Sequence, residues 1–279
     1  MAARRTVRVY RDAAEFLADT GLWLLQRADH NDQIIAVAQL LTTTDHPFRD
    51  PIYLAGVTDG DGVLGCALAA APDGLEITEM PDDVVPSVVE SIVQVRPDLS
   101  SVSGPRDSAL HFARSWVQHS GGAWQLRHNW TLFRLDEVVA PRPAPGRLRL
   151  AEEGDWPWLS RCAPGYAQET NTPFDVAAFF RRRLRRRELY VWEHDGPKSV
   201  VAASGRTASS VRISAVYTPD ARGRGYASNA VAGVSRMALE AGAEFCMLVA
   251  DREPAQPARI YRALGYRPIR DHLVIDLLP

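Results

Sequence analysis

The stretch Ala215-Val-Tyr-Thr-Pro-Asp-Ala-Arg-Gly-Arg-Gly-Tyr-Ala-Ser228 decides how the second half of this chain folds. A run of β-forming residues, 211–216, leads into a turn at Pro219-Asp220, and an amphipathic helical pattern then continues to Ala241. The pattern predicts a strand, a glycine-containing loop and a helix, in that order.

The loop of this unit is predicted to bind an anion. The first backbone N–H groups of a helix have no partner inside the helix, and the helix dipole adds partial positive charge there. Gly223 and Gly225 would let a phosphate approach the backbone, and Arg222 and Arg224 would add cationic donors. The third glycine of a dinucleotide fingerprint and the lysine of an ATP-type phosphate loop are both missing. By itself, the loop is also compatible with an ordinary turn that carries surface arginines.

A second motif follows the loop. Residues 245–249 have the pattern of a buried strand, and Tyr261-Arg-Ala-Leu-Gly-Tyr266 comes after it. Taken with Arg222-Gly-Arg-Gly-Tyr-Ala227, this order resembles the GNAT acyltransferase superfamily. That family carries an Arg/Gln-x-x-Gly-x-Gly/Ala pyrophosphate loop and a Tyr-x-x-x-Gly-Phe/Tyr signature. The resemblance covers roughly residues 147–278 and implies acetyl-CoA as the acyl donor.

The resemblance also implies which residues bind the donor. In the family, the strand that leads into the pyrophosphate loop splays away from the next buried strand, and the pantetheine arm of the donor fills the gap. Main-chain groups of the splayed strand bind that arm, and one N–H can stabilise the oxyanion that develops on the thioester. The family often has Asn-Pro where this chain has Gln256-Pro257. The donor-binding residues expected on this basis are Val216, Tyr217, Thr218, Arg222, Gly223, Arg224, Gly225, Tyr226, Ala227, Ser228 and Gln256.

Two residues are candidates for the chemistry. Tyr261 is expected to donate a proton to the departing thiolate, although a tyrosine beside Leu264 also suits a helix core. Many family members carry a glutamate on the strand before the loop. This chain has Ser214, Ala215 and Val216 there, which cannot act as a base. Glu169, in the segment 165–171 predicted to be an acceptor-side loop, is the candidate base. Asp251 is an alternative, and either carboxylate is also compatible with a solvated or capping role.

Composition limits the remaining possibilities. The 279 residues are 46% hydrophobic and carry a net charge of −2, so no bulk charge favours nucleic acid or an anionic membrane. Three widely spaced cysteines predict neither a disulfide framework nor a metal site, and with no signal-type segment they favour the cytoplasm. No apolar run reaches transmembrane length. The arginine-rich run 181–187 is interpreted as a solvated helix end, since it lacks interleaved aromatics.

The two halves of the sequence share one predicted element order, β-α-α-β-β-β-α-β-α-β. We therefore expect an α/β fold with a mixed sheet, built as two tandem GNAT-like acyl-CoA N-acyltransferase folds. The expected domains are residues 1–137 and 147–279, joined by a proline-rich linker at 138–146. In the first half, Met80-Pro-Asp-Asp-Val-Val-Pro86 takes the place of the phosphate loop. It has no glycine, and its two aspartates would repel a pyrophosphate, so the first half is expected to lack a cofactor site.

The sequence thus predicts an N-acetyltransferase that passes an acetyl group directly from acetyl-CoA to a primary amine in a ternary complex. The acceptor, a small molecule or a peptide, is not specified by the sequence. One alternative is a non-catalytic acyl-CoA-binding regulatory or scaffold protein. Another is a larger donor such as an aminoacyl-tRNA, which the pyrophosphate loop disfavours. A monomer and a homodimer are equally compatible with the sequence.

Overall fold

The computed structural model describes residues 5–44, 46–71, 74–252 and 256–279. The chain divides into two compact units. Unit 1 contains Met1–Thr131 and Ile269–Pro279, and unit 2 contains Leu132–Pro268.

Unit 1 is an α/β unit in which β4 and β5 pair in parallel, whereas the β1–β2, β2–β3, β3–β4 and β5–β12 pairs are antiparallel. Its strands lie in the order β1-β2-β3-β4-β5-β12. A single 3-10 turn, Asp82–Val84, precedes α3. Its elements are β1 (Thr6–Val9), α1 (Ala13–Gln26), α2 (Ala28–Leu41), β2 (Arg49–Thr58), β3 (Val63–Ala71), β4 (Leu75–Ile77), α3 (Val85–Val93), β5 (Ser101–Pro105), α4 (Arg106–Ser120) and, in part, β6 (Ala123–Leu135) and β12 (Arg267–Leu278).

Along the chain, the elements from β7 to β12 follow the same order as those from β1 to β6, as the sequence predicted. The strands of unit 2 lie in the order β11-β10-β9-β8-β7, with β6 next to β11. The β10–β11 pair is parallel, and the pairs from β10 to β7 are antiparallel. Its elements are β7 (Arg147–Leu150), α5 (Trp156–Glu169), α6 (Val176–Arg185), β8 (Leu189–Glu193), β9 (Pro197–Ser204), β10 (Ser210–Tyr217), α7 (Tyr226–Glu240), β11 (Phe245–Asp251) and α8 (Gln256–Ala263).

The last strand of the chain belongs mainly to unit 1. Residues 272–276 pair antiparallel with Ser101–Pro105 of β5. Leu273, Ile275 and Leu277 alternate into the core of unit 1. The sequence placed these residues in the second domain, 147–279, because alternation specifies a buried face and not the neighbouring strand. The division into separate domains at residues 138–146 stays a prediction.

Helix α5 is longer than expected. The sequence predicted a loop over residues 165–171, and this prediction was wrong, because α5 continues through Pro164 to Glu169. Proline removes one backbone donor inside a helix, a loss that tertiary packing can offset. Here Leu159, Cys162 and Ala163 are buried and continue one apolar face. That face, and not local propensity, keeps the helix intact.

The arginine-rich run ends helix α6. Arg183 pairs with Glu188, and Arg181 pairs with Glu153 while its guanidinium lies over the Trp156 ring. The pairs hold the end of α6 against its neighbours in unit 2.

None of the helices formed by the described residues has the length and apolar content that a membrane crossing requires.

Candidate donor-binding site

Strand β10 contains a β-bulge near its C-terminal end. Ser214 pairs with Ala202 and Tyr217 with Val200, so residues 215 and 216 oppose a single residue of β9. Ala215 has φ +52°, a conformation that costs an L-residue energy and that recurs at functional sites.

The bulge reverses which face each side chain occupies. Val211 and Ile213 are buried in the core on the side of α7 and α8. Two residues further on, Ala215 and Tyr217 are buried in the core on the side of α5 and α6. In a regular strand all four would share one face. The side chain of Val216 therefore packs towards α7 and α8, and Tyr217 towards α5.

The expected divergence of β10 and β11 is confirmed. Parallel pairing joins residues 210–212 to residues 245–247, and within the described residues the two strands pair no further. Because β10 runs on to Tyr217 and β11 to Asp251, both strands continue past the paired segment. Backbone N–H and C=O groups there need other partners.

The loop after β10 has the backbone of an anion-binding nest. Positive φ values occur at every second residue: +56° at Ala221, +78° at Gly223 and +80° at Gly225. Alternation of left-handed and right-handed residues turns successive N–H groups into one concavity. Gly225 is also the N-cap of α7, and no side chain caps that helix end. The free N–H groups of α7 therefore adjoin the nest, as an anion site requires.

Arg222 is tied to the candidate base. Its guanidinium donates to the Thr218 carbonyl at 2.9 Å and to a Glu169 carboxylate oxygen at 2.5 Å. It also lies 5.7 Å from the centre of the Tyr217 ring. The pKa of Arg222 is raised, chiefly by the hydrogen bond to Glu169. The loop and the end of α5 are thus joined by an exposed ion pair.

The side chains of other predicted donor residues have structural partners. Tyr226 is buried, and its hydroxyl lies 2.9 Å from Nδ1 of His194. The hydroxyl of Thr218 donates to Ser199 at 3.0 Å, and Ser199 donates to the Tyr217 carbonyl at 3.1 Å. At these positions the main chain, not the side chain, remains for a ligand. Gln256 begins α8, but its side chain lies outside the described part.

Tyr261 lies on α8, partly buried against the core between β10, β11 and α7. Its ring contacts Phe133 and Tyr266, with centroids 6.5 Å and 6.0 Å away. No hydrogen bond joins its hydroxyl to another residue in the described ranges. Desolvation raises the pKa of Tyr261, and the nearby Tyr166 adds to the shift. The phenol therefore keeps its proton at neutral pH.

Tyr166 is a site residue that sequence reasoning missed. It lies on the part of α5 that was predicted to be a loop, and its ring meets the Tyr217 ring edge-on at 5.9 Å. Burial raises its pKa to about 12. After burial, the nearby Tyr166 is the second cause of the raised pKa of Tyr261. The only sequence signal was that Tyr166 continues the apolar face of α5.

A cavity of about 620 Å³ adjoins the loop. Such volumes are typical of small-molecule sites. Its lining comes from the 138–146 segment, the start of α7 and one face of α8. The residues are Pro141, Arg142, Gly225, Ser228, Arg259, Ile260, Ala263 and Leu264.

The comparisons with known proteins identify the fold. A Drosophila protein of solved structure matches with a TM-score of 0.71 at 11% identity, over 98% of both chains. A GCN5-related N-acetyltransferase from Sphaerobacter thermophilus matches with a TM-score of 0.61 at 16% identity, over 99% of this chain and 96% of that one. A tandem GNAT protein from the clavulanic acid biosynthesis pathway matches with a TM-score of 0.56 at 14% identity, over 99% of both chains. No protein-family model and no curated protein matches the sequence.

The chain therefore has the mixed α/β fold of the GNAT acetyltransferases, and the predicted fold class is confirmed. The glycine-containing loop of unit 2 lies between the strand and the helix that the sequence predicted.

Proposed function

We propose that this protein is an N-acetyltransferase whose unit 2 binds acetyl-CoA and passes the acetyl group to a primary amine of a small molecule or a peptide. One observation carries the proposal: the bulge, the divergence from β11 and the nest all occur within one strand–loop–helix unit. Each feature by itself is common, but together they offer an extended backbone edge that ends in an anion site. Three free, buried cysteines agree with the reducing conditions of the cytoplasm.

Residues of unit 2 have separable roles in this proposal. The nest and the N–H groups of α7 bind the pyrophosphate, with Arg222 and Arg224 at the rim. The main chain of residues 216–218 binds the pantetheine arm, and one of its N–H groups stabilises the developing oxyanion. Acetyl-CoA supplies an activated thioester. Tyr261, which holds its proton at neutral pH, donates it to the departing thiolate.

Direct transfer is favoured over a covalent enzyme intermediate. Burial raises the pKa of Cys162 to about 11 and that of Cys246 to about 12. Both thiols are therefore protonated at neutral pH, and a protonated thiol is a poor nucleophile. The incoming amine then attacks the thioester itself. We propose Glu169 as the group that removes its proton, after donor binding has separated Glu169 from Arg222.

One acetyl-CoA should bind per chain. In unit 1 the corresponding segment forms a 3-10 turn, Asp82–Val84, without glycine. Asp83 pairs with Arg5 there, and Asp82 lies 3.5 Å from His111. Two carboxylates in place of a nest disfavour a phosphate. Isothermal calorimetry should give a stoichiometry of one, and two equivalent sites would contradict the proposal.

Glu169→Gln should separate the two roles of this carboxylate. Releasing Arg222 from its ion pair should tighten acetyl-CoA binding about two- to fivefold, the range of an exposed pair. If Glu169 is the base, kcat should fall by about 10²-fold or more at neutral pH, with partial recovery at higher pH as the free amine becomes abundant.

Calorimetry measures the change in acetyl-CoA affinity, and steady-state rates with an amine that the protein acetylates measure the change in kcat. Glu188→Gln is the control, because it removes another ion-paired carboxylate of unit 2, a partly buried one that pairs with Arg183, away from the loop. An unchanged kcat in Glu169→Gln would remove Glu169 from the chemistry and leave its ion pair as a structural contact.

A non-catalytic acyl-CoA-binding protein is the second candidate. Residues 214–217 of β10 carry no carboxylate, and Glu169 is engaged by Arg222. The two candidates are distinguished by incubating the protein with acetyl-CoA and each of a panel of primary amines, and measuring the release of free thiol. Thiol release with any amine supports the transferase, whereas tight binding without turnover supports the regulatory alternative.

A further inference from the structure

The end of helix α6 carries the densest run of positive charge in the sequence. Six of the seven residues 181–187 are arginines. The partial negative charge of a helix C-terminus favours cations in the last turn, which accounts for part of this run. Arg185 and Arg187 are both exposed, and neither guanidinium forms an ion pair with a residue that the structure describes. Their charge is therefore available to a partner.

Two other arginines of the run fix the end of α6 in place. Arg181 and Arg183 each pair with a glutamate of unit 2. Their guanidinium groups also lie over aromatic rings, 4.7 Å from the centre of Trp156 and 5.1 Å from that of Phe179. Contacts of this kind stabilise a guanidinium in one position. The two exposed arginines thus extend from a helix end that its neighbours hold.

Arg187 occupies a backbone position that favours glycine. It follows the C-cap residue Arg186 and has φ +58°. Its N–H donates to the Leu184 carbonyl at 3.0 Å, and the Glu188 N–H donates to the Arg183 carbonyl at 2.9 Å. These are the two hydrogen bonds of a Schellman motif, in which glycine is the usual left-handed residue. A larger residue there costs stability, and such a cost points to a use for the side chain.

The arginine end of α6 lies one helix length away from the proposed base. Arg181 contacts Trp156 at the start of α5, so the two helices run antiparallel. Glu169 ends α5, and residues 170–175 connect it to the start of α6. Helix α6 has 10 residues and therefore spans about 15 Å at 1.5 Å per residue. An extended peptide covers that distance with about five residues.

We propose that the end of α6 binds an acidic segment of a peptide acceptor, with Arg185 and Arg187 on its carboxylates. Unpaired guanidinium groups bind carboxylates through two parallel N–H donors, so the charge and the geometry of the two partners match. The inference rests on the proposed function, which places the acceptor amine near Glu169. The acidic residues should accordingly lie about five positions from the acetylated amine.

A peptide suits this surface better than a nucleic acid does. Proteins that bind single strands offer aromatic faces on which bases stack. Here the rings of Trp156 and Phe179 already carry a guanidinium of the chain itself. A peptide also supplies the primary amine that the proposed reaction requires.

Two synthetic peptides with blocked N-termini test the proposal. Each carries one lysine, a glycine-serine spacer of about five residues, and then a run of glutamates or, in the second peptide, an equal run of glutamines. Fluorescence anisotropy with the full-length protein should show that the glutamate peptide binds about 10-fold or more tightly at low salt. This preference should shrink as salt is added, because exposed charges are screened.

Arg187→Gly separates peptide binding from folding. It removes the guanidinium and gives the left-handed position its preferred residue, so the melting temperature should rise by about 2–4 °C. Binding of the glutamate peptide should nevertheless weaken about 3- to 10-fold, as it should in Arg185→Gln. Arg236→Gln is the control, because it removes an exposed arginine of α7. It should change neither the melting temperature nor the affinity.

Equal binding of the two peptides, or full binding by Arg187→Gly, would overturn the proposal. Tighter binding of a single-stranded oligouridylate with the same charge as the glutamate peptide would assign the surface to nucleic acid instead. With acetyl-CoA, Arg187→Gly should raise KM for the glutamate peptide, leave kcat unchanged and acetylate a small primary amine normally. If no amine is acetylated, the proposed function fails, and the binding comparison still decides whether the end of α6 binds an acidic peptide.

Discussion

Gly225→Asp should weaken acetyl-CoA binding by about 100-fold or more. Gly225 has φ +80°, caps α7 and lines the cavity beside the loop. A built Cβ meets nothing closer than 3.5 Å, so the side chain fits and its carboxylate lies beside the nest. There it repels the pyrophosphate and competes for the same N–H groups. A loss of about 3 kcal/mol corresponds to that factor in Kd. Calorimetry with acetyl-CoA measures it directly.

Gly196→Asp is the matched control for this variant. Gly196 lies in the hairpin between β8 and β9 with φ +90°, and a built Cβ there meets nothing within 4 Å. Both substitutions thus add one negative charge and place an L-residue in the left-handed region, at a similar cost of about 1–2 kcal/mol. The two proteins should melt at similar temperatures, and only Gly225→Asp should lose the donor. Normal binding by Gly225→Asp would show that the loop is not the anion site.

Tyr261→Phe should lower kcat by about 10²- to 10⁴-fold while donor affinity changes little. The Tyr261 phenol is proposed to donate its proton to the departing thiolate, and general acid catalysis has effects of that size. Removing the hydroxyl keeps the ring contacts with Phe133 and Tyr266. Because the hydroxyl has no hydrogen-bond partner within the described ranges, the melting temperature should stay close to that of the original protein. Steady-state kinetics, calorimetry and thermal unfolding together test these three expectations.

Tyr266→Phe provides the contrast. The Tyr266 hydroxyl is buried and lies 2.8 Å from Oγ of Ser235, which is itself buried. Its removal should cost about 1–3 kcal/mol of stability and leave kcat unchanged. A fall of only a few-fold in Tyr261→Phe would mean that solvent supplies the proton. A loss of CoA affinity at constant kcat would instead make Tyr261 a binding contact.

Local sequence signals were sufficient for the order of elements and for the loop. Gly223 and Gly225 were predicted to leave the backbone of the loop accessible, and in the structure both have positive φ, which most other residues adopt at a cost. The strand, loop and helix that contain them follow in the predicted order. Asp12 accepts from the Glu15 N–H and begins α1 as its residue type indicates. These features depend on contacts within a few residues, which a sequence window contains.

The divergence of β10 and β11 was inferred from the resemblance, but the bulge that accompanies it was not. Nothing in Ser214-Ala-Val-Tyr217 distinguishes a bulged strand from a regular one, since alternation assigns Ala215 and Tyr217 to the face of Val211 and Ile213. In the structure Tyr217 instead lies on the opposite face, where its ring packs against Tyr166 on α5. That contact joins residues from two elements 51 positions apart in the sequence, beyond the reach of any local pattern.

The sequence by itself determined the repeated element order and the position of a glycine-containing loop, because periodicity, glycines and turn residues act locally. Its two motifs carried the resemblance to the GNAT fold. Only the tertiary structure decided three other features: the pairing of β12 with β5, the continuation of α5 past Pro164, and the attachment of residues 139–145 beside Gly225. Each depends on which distant surface or donor is available to a segment. A proline-rich run specifies an extended backbone, but it does not specify which side chains will donate to its carbonyls.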